Sequence, residues 1–230
     1  MSTIQPATTG SDEKTLAERA YRLLRGDIVA GSLEPGVKLK IDALRQQYGL
    51  GAGPLREALA RLSGDHLVRI EGQRGFAVAP MSAEDARDIG AMRKLLEAQA
   101  LRLSIANGNE AWEDSVVTAF HRLERVEKRL SEGTESHATW ELRNGQFHEA
   151  LVAACGSEWL KRVRLLIFQQ HERYRRLSRG RTMQTRDIHA EHKEFFDAVL
   201  ARDADRAVAA SDEHIERTTQ AVIEALRTRV

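Results

Sequence analysis

Apolar residues recur along this chain at two spacings, and the change between them divides its first eighty residues into elements. Leu16, Ala20, Leu23, Leu24 and Ile28 share one face at helical spacing, which predicts a helix over 15–30. Gly31 follows at once and suits a left-handed C-terminal cap. A shorter helix is expected over 41–48, ended by Gly49. A third should start at Pro54, with Gly53 as N-cap, and end near His66. The spacing then shifts to two: Val68-Arg69-Ile70 and Phe76-Ala77-Val78 flank a Gly72-to-Gly75 turn, which reads as a hairpin.

Ala79-Pro80-Met81 is the expected boundary, because Pro80 biases its neighbour to extended backbone and Ser82-Ala83-Glu84-Asp85 is a capping-box pattern. From there the pattern is helical throughout, over about 82–106, 111–132, 137–155, 158–179, 183–202 and 204–228. Breaks fall at Asn107-Gly108-Asn109, Gly133, Gly156-Ser157, Gly180 and Arg202-Asp203. No proline follows Pro80 and no strand pattern returns, so an all-α bundle is expected. The fold class is mainly α, with 1–11 as a polar, disordered tail, 12–79 as one domain and 80–230 as a second.

Composition narrows the picture. The formal charge of the 230 residues is only +1, so no global basic field marks a nucleic-acid binder. Residues 11–80 hold eleven Lys/Arg against nine Asp/Glu, an excess of two, and a dimer would be needed to add phosphate contacts. Cys155 is the single cysteine, which excludes an intramolecular disulfide and a cysteine-based zinc site and fits a reducing cytoplasm. No apolar run reaches membrane-spanning length, and residues 1–12 lack a signal-peptide core.

Two short helices and a tight ribbon form a unit of the size that enters a major groove. The third helix would supply Leu55, Ala58, Leu59 and Leu62 to its back and turn Arg56 and Arg61 outward, Arg56 in its first turn. Lys40 and Arg45, on or beside the second helix, are further candidates for phosphate or base contacts, and Arg74 with Gly75 would form a wing tip. Each arginine alone is an ordinary surface charge; position inside the pattern is what singles out Arg56 and Arg74.

The run Pro35-Gly36…Leu39…Leu44…Tyr48-Gly49-Leu50…Pro54-Leu55-Arg56-Glu57-Ala58-Leu59…Arg61-Leu62…Leu67-Val68…Arg74-Gly75-Phe76-Ala77-Val78 resembles the winged helix-turn-helix of the GntR family of bacterial transcription regulators. The helical remainder resembles the ligand-binding domain of that family's fatty-acid-regulator-like branch. The resemblance implies a cytoplasmic, homodimeric regulator that binds double-stranded operator DNA and answers to a small carboxylate. It departs at Gly51-Ala52-Gly53, where the family usually carries Ser and Arg that contact the operator. Glycines there would let the backbone approach a phosphate at the helix N-terminus. The Gly-x-Gly-Pro-Leu-Arg run resembles the carbon-starvation-linked repressors of glutarate catabolism, which makes a glutarate-like dicarboxylate one candidate effector.

Three of the eight histidines fall within apolar stripes. His148 lies in the stripe of Trp140, Phe147, Leu151 and Cys155, with Asn144 one turn before it. His192 sits among Ile188, Phe195, Phe196 and Val199, with His189 at the edge, and His214 joins Ala207, Thr218, Ala221 and Ala225. A lone inward histidine is most often a hydrogen-bonded core residue. Three of them on three helices can instead converge on a divalent metal such as Zn, Ni or Mn. The family resemblance points to that metal site, with Asn144 where the family usually has Asp and so a weaker, uncharged ligand. Direct binding of an anionic effector by the histidines is the alternative.

Arg93 matches an arginine of the family's first ligand-domain helix and suits either an effector carboxylate or an interhelical salt bridge. Gln170 and Tyr174 share the face of Leu160, Val163, Ile167 and Leu177 and are candidates to line the same cavity, with packing under a wet hydroxyl the plainer reading of Tyr174, while Lys161, Arg162, Arg164, Arg173, Arg175, Arg176, Arg179 and Arg181 read as a solvated basic face. The rival function is a metal-dependent helical-bundle enzyme using His148, His192 and His214. Against it stands the lack of a second acid–base group beside the histidines and of any His-Asp doublet.

Overall fold

A computed structural model describes residues 15–72, 75–177 and 186–228. The expected tail, Arg74, Arg179, Arg181 and the first residues of the 183–202 helix lie outside them. The chain divides into two compact units at residues 81 and 82.

The first unit contains α1 (Leu16–Ala30), α2 (Ile41–Tyr48), α3 (Ala52–Gly64), β1 (Val68–Glu71) and β2 (Gly75–Val78). Thr15 caps α1 by accepting from the Glu18 amide, and Gly31 closes it at φ 83. Gly49 closes α2 at φ 65. Both are left-handed positions where a side chain would be strained. The strands pair antiparallel, Val68 opposite Val78, and Lys38 bridges to Ala77 on the outer edge of β2. Leu24, Leu55, Ala58, Leu59 and Leu62 are fully buried in a wholly apolar core with Leu39, Leu44, Leu67 and Val78.

Two expectations for this unit are corrected. Leu16 and Leu23 are exposed, and Ala17, Ala20, Leu24 and Ile28 carry the buried face of α1. Helix α3 begins at Ala52, capped by extended Gly51, and ends at Gly64 rather than near His66. Pro54 is therefore its third residue, which costs little because amides of the first turn have no intrahelical acceptor to lose.

The second unit consists of α4 (Ala83–Asn107), α5 (Glu110–Ser131), α6 (His137–Val152), α7 (Glu158–Leu177), α8 (Ile188–Leu200) and α9 (Ala204–Arg227). Its boundaries are set by side-chain caps. Ser82, Asn109, Ser136, Asp187 and Asp203 each accept from the amide three residues on, satisfying an otherwise orphaned donor. Helix α4 packs against α7 and α9, α5 against α6 and α8, and α8 against α9. The α4–α9 crossing is close at Gly90, where a β-carbon would meet Thr219 Oγ1 at 2.6 Å.

Helix α6 ends at Val152, short of the expected residue 155, although Cys155 is buried. The larger correction is in α7. Its buried residues include Arg164, Phe168, His171, Arg173 and Tyr174, whereas Val163 is 43% exposed. Arg164 is 1% exposed and pairs with Glu97 at 2.8 Å and with Glu149. Arg175 pairs with Glu141 and Glu172, both at 2.5 Å. The basic run is thus largely a paired inner face. Counting only apolar residues rotates the stripe of this helix away from its true position.

Candidate functional site

At the front of the first unit, α3 presents its N-terminal turn. Gly51 makes no side-chain cap and the turn carries no acidic residue, so its free amides and dipole end are electropositive. Lys40, Arg45, Gly51, Gly53 and Arg56 are exposed, and Ala52 and Gly75 are half-buried. Arg45 is tied loosely to Asp42 at 3.4 Å. Arg61 is exposed, as expected, but engaged. Its guanidinium pairs with Glu18 at 2.7 Å and stacks over the Tyr21 ring at 4.3 Å, so it braces α3 against α1. Tyr21 in turn donates to Asp65 at 2.5 Å, and Tyr48 donates to Asp27 at 2.5 Å. Two tyrosine–carboxylate contacts thus fix α1 to the end of α2 and the end of α3.

In the second unit the three inward histidines meet. His148 on α6, His192 on α8 and His214 on α9 are all buried, with ligand atoms mutually within 4.8 Å. Their ring centroids lie 5.3–5.6 Å apart. The outer nitrogens are held by carboxylates: His192 Nδ1 lies 2.7 Å from Glu127, and His214 Nδ1 lies 2.8 Å from Glu191. A ring whose Nδ1–H donates outward presents the lone pair of Nε2 inward. Nε2 of His148 and of His192 is buried with no hydrogen-bond partner, and so is Oδ1 of Asn144, one turn before His148. Buried acceptors without partners are rare and call for an explanation. Neutral imidazoles with lone pairs directed together fit a divalent ion.

Burial, then the charge of Arg93 and the neighbouring rings, holds His148 well below the usual imidazole range. Burial, then His192 and Arg186, does the same for His214. Both rings are therefore in the protonation state a metal requires. Burial pushes the Glu127 carboxyl up, but hydrogen bonds from His192 and His189 overcome this and hold it below its ordinary value.

The residues assigned to an effector divide. Arg93 is buried, hydrogen-bonds His171 Nδ1 at 2.7 Å, and lies over the Phe168 ring at 4.6 Å. Asn144 donates through Nδ2 to Glu172 at 3.4 Å, and Gln170 is buried. Tyr174 is buried, and its hydroxyl donates to Asp85 at 2.5 Å and accepts from the Ser82 amide at 3.1 Å, which latches α7 to the start of α4. A cavity of about 370 Å³ is walled by Glu127, Leu130, Trp140, Arg186, Ile188 and His189, and none of the three inward histidines lines it.

Several members of this site escape a reading of the sequence. His171 bridges Arg93 and Thr219, the latter at 3.1 Å. It sits four residues after Ile167 and three before Tyr174, so its place on the inner stripe was available as a signal. Glu127 and Glu191 were not, because a single glutamate on an amphipathic helix looks like solvent-facing charge. Arg186 holds Glu191 and donates to Thr218 at 2.9 Å and to the His214 carbonyl at 3.0 Å, which orients the carboxylate that orients His214.

Three helices with a paired ribbon, followed by a helical unit with a histidine-lined core, define the class: a winged helix-turn-helix protein carrying an all-α second unit. Residues 16–78 match the family model of bacterial regulatory proteins, gntR family, and residues 88–217 match that of the FCD domain. The chain belongs to the GntR family of transcription regulators, in the branch whose second part is an FCD domain. An uncharacterized HTH-type transcriptional regulator, BphR, of Paraburkholderia xenovorans strain LB400 is 41% identical over 210 residues, covering 91% of this chain and 86% of that protein. The HTH-type transcriptional repressor GlaR of Escherichia coli strain K12 is 38% identical over 205 residues, 85% of this chain and 90% of its own. A GntR-family transcriptional regulator from Pseudomonas syringae pv. tomato str. DC3000 superposes with a TM-score of 0.56 at 28% identity, covering 93% and 87%. A GntR regulator from Rhodococcus sp. RHA1 reaches 0.71 at 19% identity, covering 90% and 97%, a likeness of fold alone. The chain is a DNA-binding transcriptional regulator, and the enzymatic alternative is set aside because families and relatives alike are regulators. Among the described residues no helix is long and apolar enough to cross a membrane.

Proposed function

We propose that this chain is a homodimeric repressor whose hold on operator DNA is released by a small carboxylate bound in the second unit. Residues 12–79 read the operator and residues 80–230 bind the effector and dimerise. Helix α3 enters the major groove, with Arg56 at the base edges or phosphates and the backbone of Gly51–Gly53 against a phosphate. Lys40, Arg45 and the Arg74–Gly75 wing add contacts that position the unit on the duplex.

The observation that carries the ligand half of this reading is the convergence of buried His148, His192 and His214, two of which, His148 and His192, have an unpartnered Nε2, near buried Arg93. The three imidazoles and Asn144 would hold a divalent metal, which when bound supplies a Lewis-acidic centre for a carboxylate. Arg93 and Gln170 stand on the effector side. That GlaR is by name a repressor supports repression as the mode. The reaction partners of a hydrolytic enzyme are not needed for any of this.

Gel shift of the purified protein on its own promoter region, with and without a panel of carboxylates that includes glutarate, tests the reading. Specific binding released by one acid is expected. Arg56→Ala should weaken binding by about 1–3 kcal/mol if it reads a base, or lower the salt slope by about one if it meets a phosphate. Binding to the promoter that no acid alters would remove the effector half, and unchanged affinity in Arg56→Ala would remove Arg56 from the interface.

A further inference from the structure

The donors that converge in the second unit carry no negative charge. Three are imidazoles, and the fourth candidate is the amide of Asn144, 97% buried with Oδ1 unpartnered. The orientation of that amide is set from outside. Asn144 Nδ2 donates to Glu172, and Glu172 is held in turn by Arg175 at 2.5 Å. With the amino group committed outward, the oxygen is the atom left for the interior.

Carboxylates are present near the site, but each is engaged elsewhere. Glu127 takes the Nδ1 sides of His192 and His189. Glu191 takes Arg186, Arg217 and the Nδ1 side of His214. Glu97 takes Arg164 and faces Arg93 at 3.6 Å. Two guanidinium groups also stand close by, Arg93 at 2.7 Å from His171 Nδ1 and Arg186 at 3.4 Å from His214 Nδ1. A divalent cation placed among these donors would have no anionic ligand in direct contact, because Glu127 and Glu191 stand one imidazole away.

We propose that metal and carboxylate bind this unit as a mutually dependent pair, the acid supplying the anionic ligand that Asn144 does not. The inference rests on the metal reading above. A ligand set with a carboxylate at position 144 would hold its metal permanently and offer it to any passing acid. The neutral set instead makes metal occupancy itself responsive to the acid. Linkage makes the dependence reciprocal, so metal raises the affinity for acid by the same factor that acid raises the affinity for metal. The regulator would then answer to the product of two concentrations rather than to one.

Calorimetric titration of chelator-stripped full-length protein with Zn²⁺ alone, and then in saturating acetate, tests this. The acid is expected to tighten Zn²⁺ binding at least about tenfold, a coupling of about 1.4 kcal/mol. Asn144→Asp is expected to bind Zn²⁺ tightly with no acid present, with the acetate effect reduced to less than about threefold. Circular dichroism of the variant confirms that it is folded, and the two wild-type titrations stand without it. Zn²⁺ bound equally tightly with and without acetate would overturn the coupling while leaving the metal site in place. An acetate effect undiminished in Asn144→Asp would overturn the role of Asn144. Zn²⁺ bound under no condition would overturn both the coupling and the metal reading, and would leave operator binding by α3 untouched.

Discussion

The core beneath α1–α3 is closed by Leu24, Leu55, Leu59 and Leu62, whereas the helical unit buries Arg93, Glu97, Arg164, His171 and His192 to a similar degree. The first core needs only shape and apolar area. The groups proposed to meet DNA stand outside it, on the open face of α3. The second core contains the proposed ligand site, whose side chains are charged and paired as well as packed. A surface site leaves the hydrophobic pattern intact; an internal site interrupts it with polar residues that need partners on other helices.

The sharpest way to break this contrast is to treat a charge of the second core as if it were a leucine of the first. Arg164→Ala leaves Glu97 buried with only the more distant Arg93 and should cost about 3–5 kcal/mol, the range for one partner lost from a buried pair. Leu59→Ala should cost about 2–5 kcal/mol through transfer and cavity terms. Urea unfolding followed by circular dichroism measures both. A loss below about 1 kcal/mol for Arg164→Ala would mean that the guanidinium is solvated and the two cores are alike.

Next in size is the outer shell of the histidine cluster. Glu127→Gln removes the carboxylate that holds both His192 and His189. Such outer partners are commonly worth about 10–100-fold in metal affinity. Zn²⁺ titration should show that drop with promoter binding in the absence of acid unchanged. If the affinity holds, Glu127 is only a packing residue, and the distinction between the cores reduces to burial.

A pH titration separates the units without mutation. Burial and then Arg93 depress the folded-state basicity of His171, which stays neutral when folded and takes up a proton when unfolded below its ordinary value of about 6.5. The unfolded state therefore binds more protons, and stability is present above that pH and lost as pH falls through it. The second unit should lose up to about 1.4 kcal/mol per pH unit per such group below about pH 6.5. The first, with no buried histidine among its described residues, should stay nearly level over that interval. His171→Gln should flatten the slope of the second unit. A slope the variant does not change would place the proton uptake at another group.

How much of this was legible follows from the same contrast. The caps at Gly31, Gly49 and Ser82, the hairpin, and the stripes of α6 and α8 can be read from residue type and spacing, because local chemistry decides them. The inward places of His148, His192 and His214 were legible for the same reason, since each interrupts an apolar stripe. The stripe of α7 was not, because Arg164 and Arg173 are counted as solvent-facing until Glu97 and the other acids are known to approach from distant helices. Tyr174 was legible as an inward residue, but its partners Ser82 and Asp85 were not, because they lie about ninety residues earlier in the chain. Arg61 was correctly exposed, yet the pairing that occupies it, with Glu18, spans two helices. Spacing reports which way a residue faces and is silent about what it meets there.

The smallest expected effect concerns how the first unit positions what it shows to DNA. Tyr48 ends α2 immediately before Gly49, and its hydroxyl donates to Asp27 on α1 at 2.5 Å. Burial, then the Asp27 carboxylate, pushes that hydroxyl well above its ordinary value, so it remains a donor at any working pH. Tyr48→Phe keeps the ring and deletes only this hydrogen bond. About 1.5 kcal/mol of stability should be lost, the lower end for a bond to a charged group because the contact is half-exposed. The turn from Gly49 to Gly51 sets where the N-terminus of α3 begins, so freeing its anchor should also weaken promoter binding a few-fold, with Zn²⁺ affinity unchanged. Comparing the two losses discriminates the roles: stability lost with operator affinity intact would make Tyr48 a brace, whereas affinity lost beyond what unfolding explains would make it a positioning residue for the reading helix. The second outcome is expected, because Leu50 seats the turn in the apolar core while the Tyr48 hydroxyl ties the end of α2 to α1.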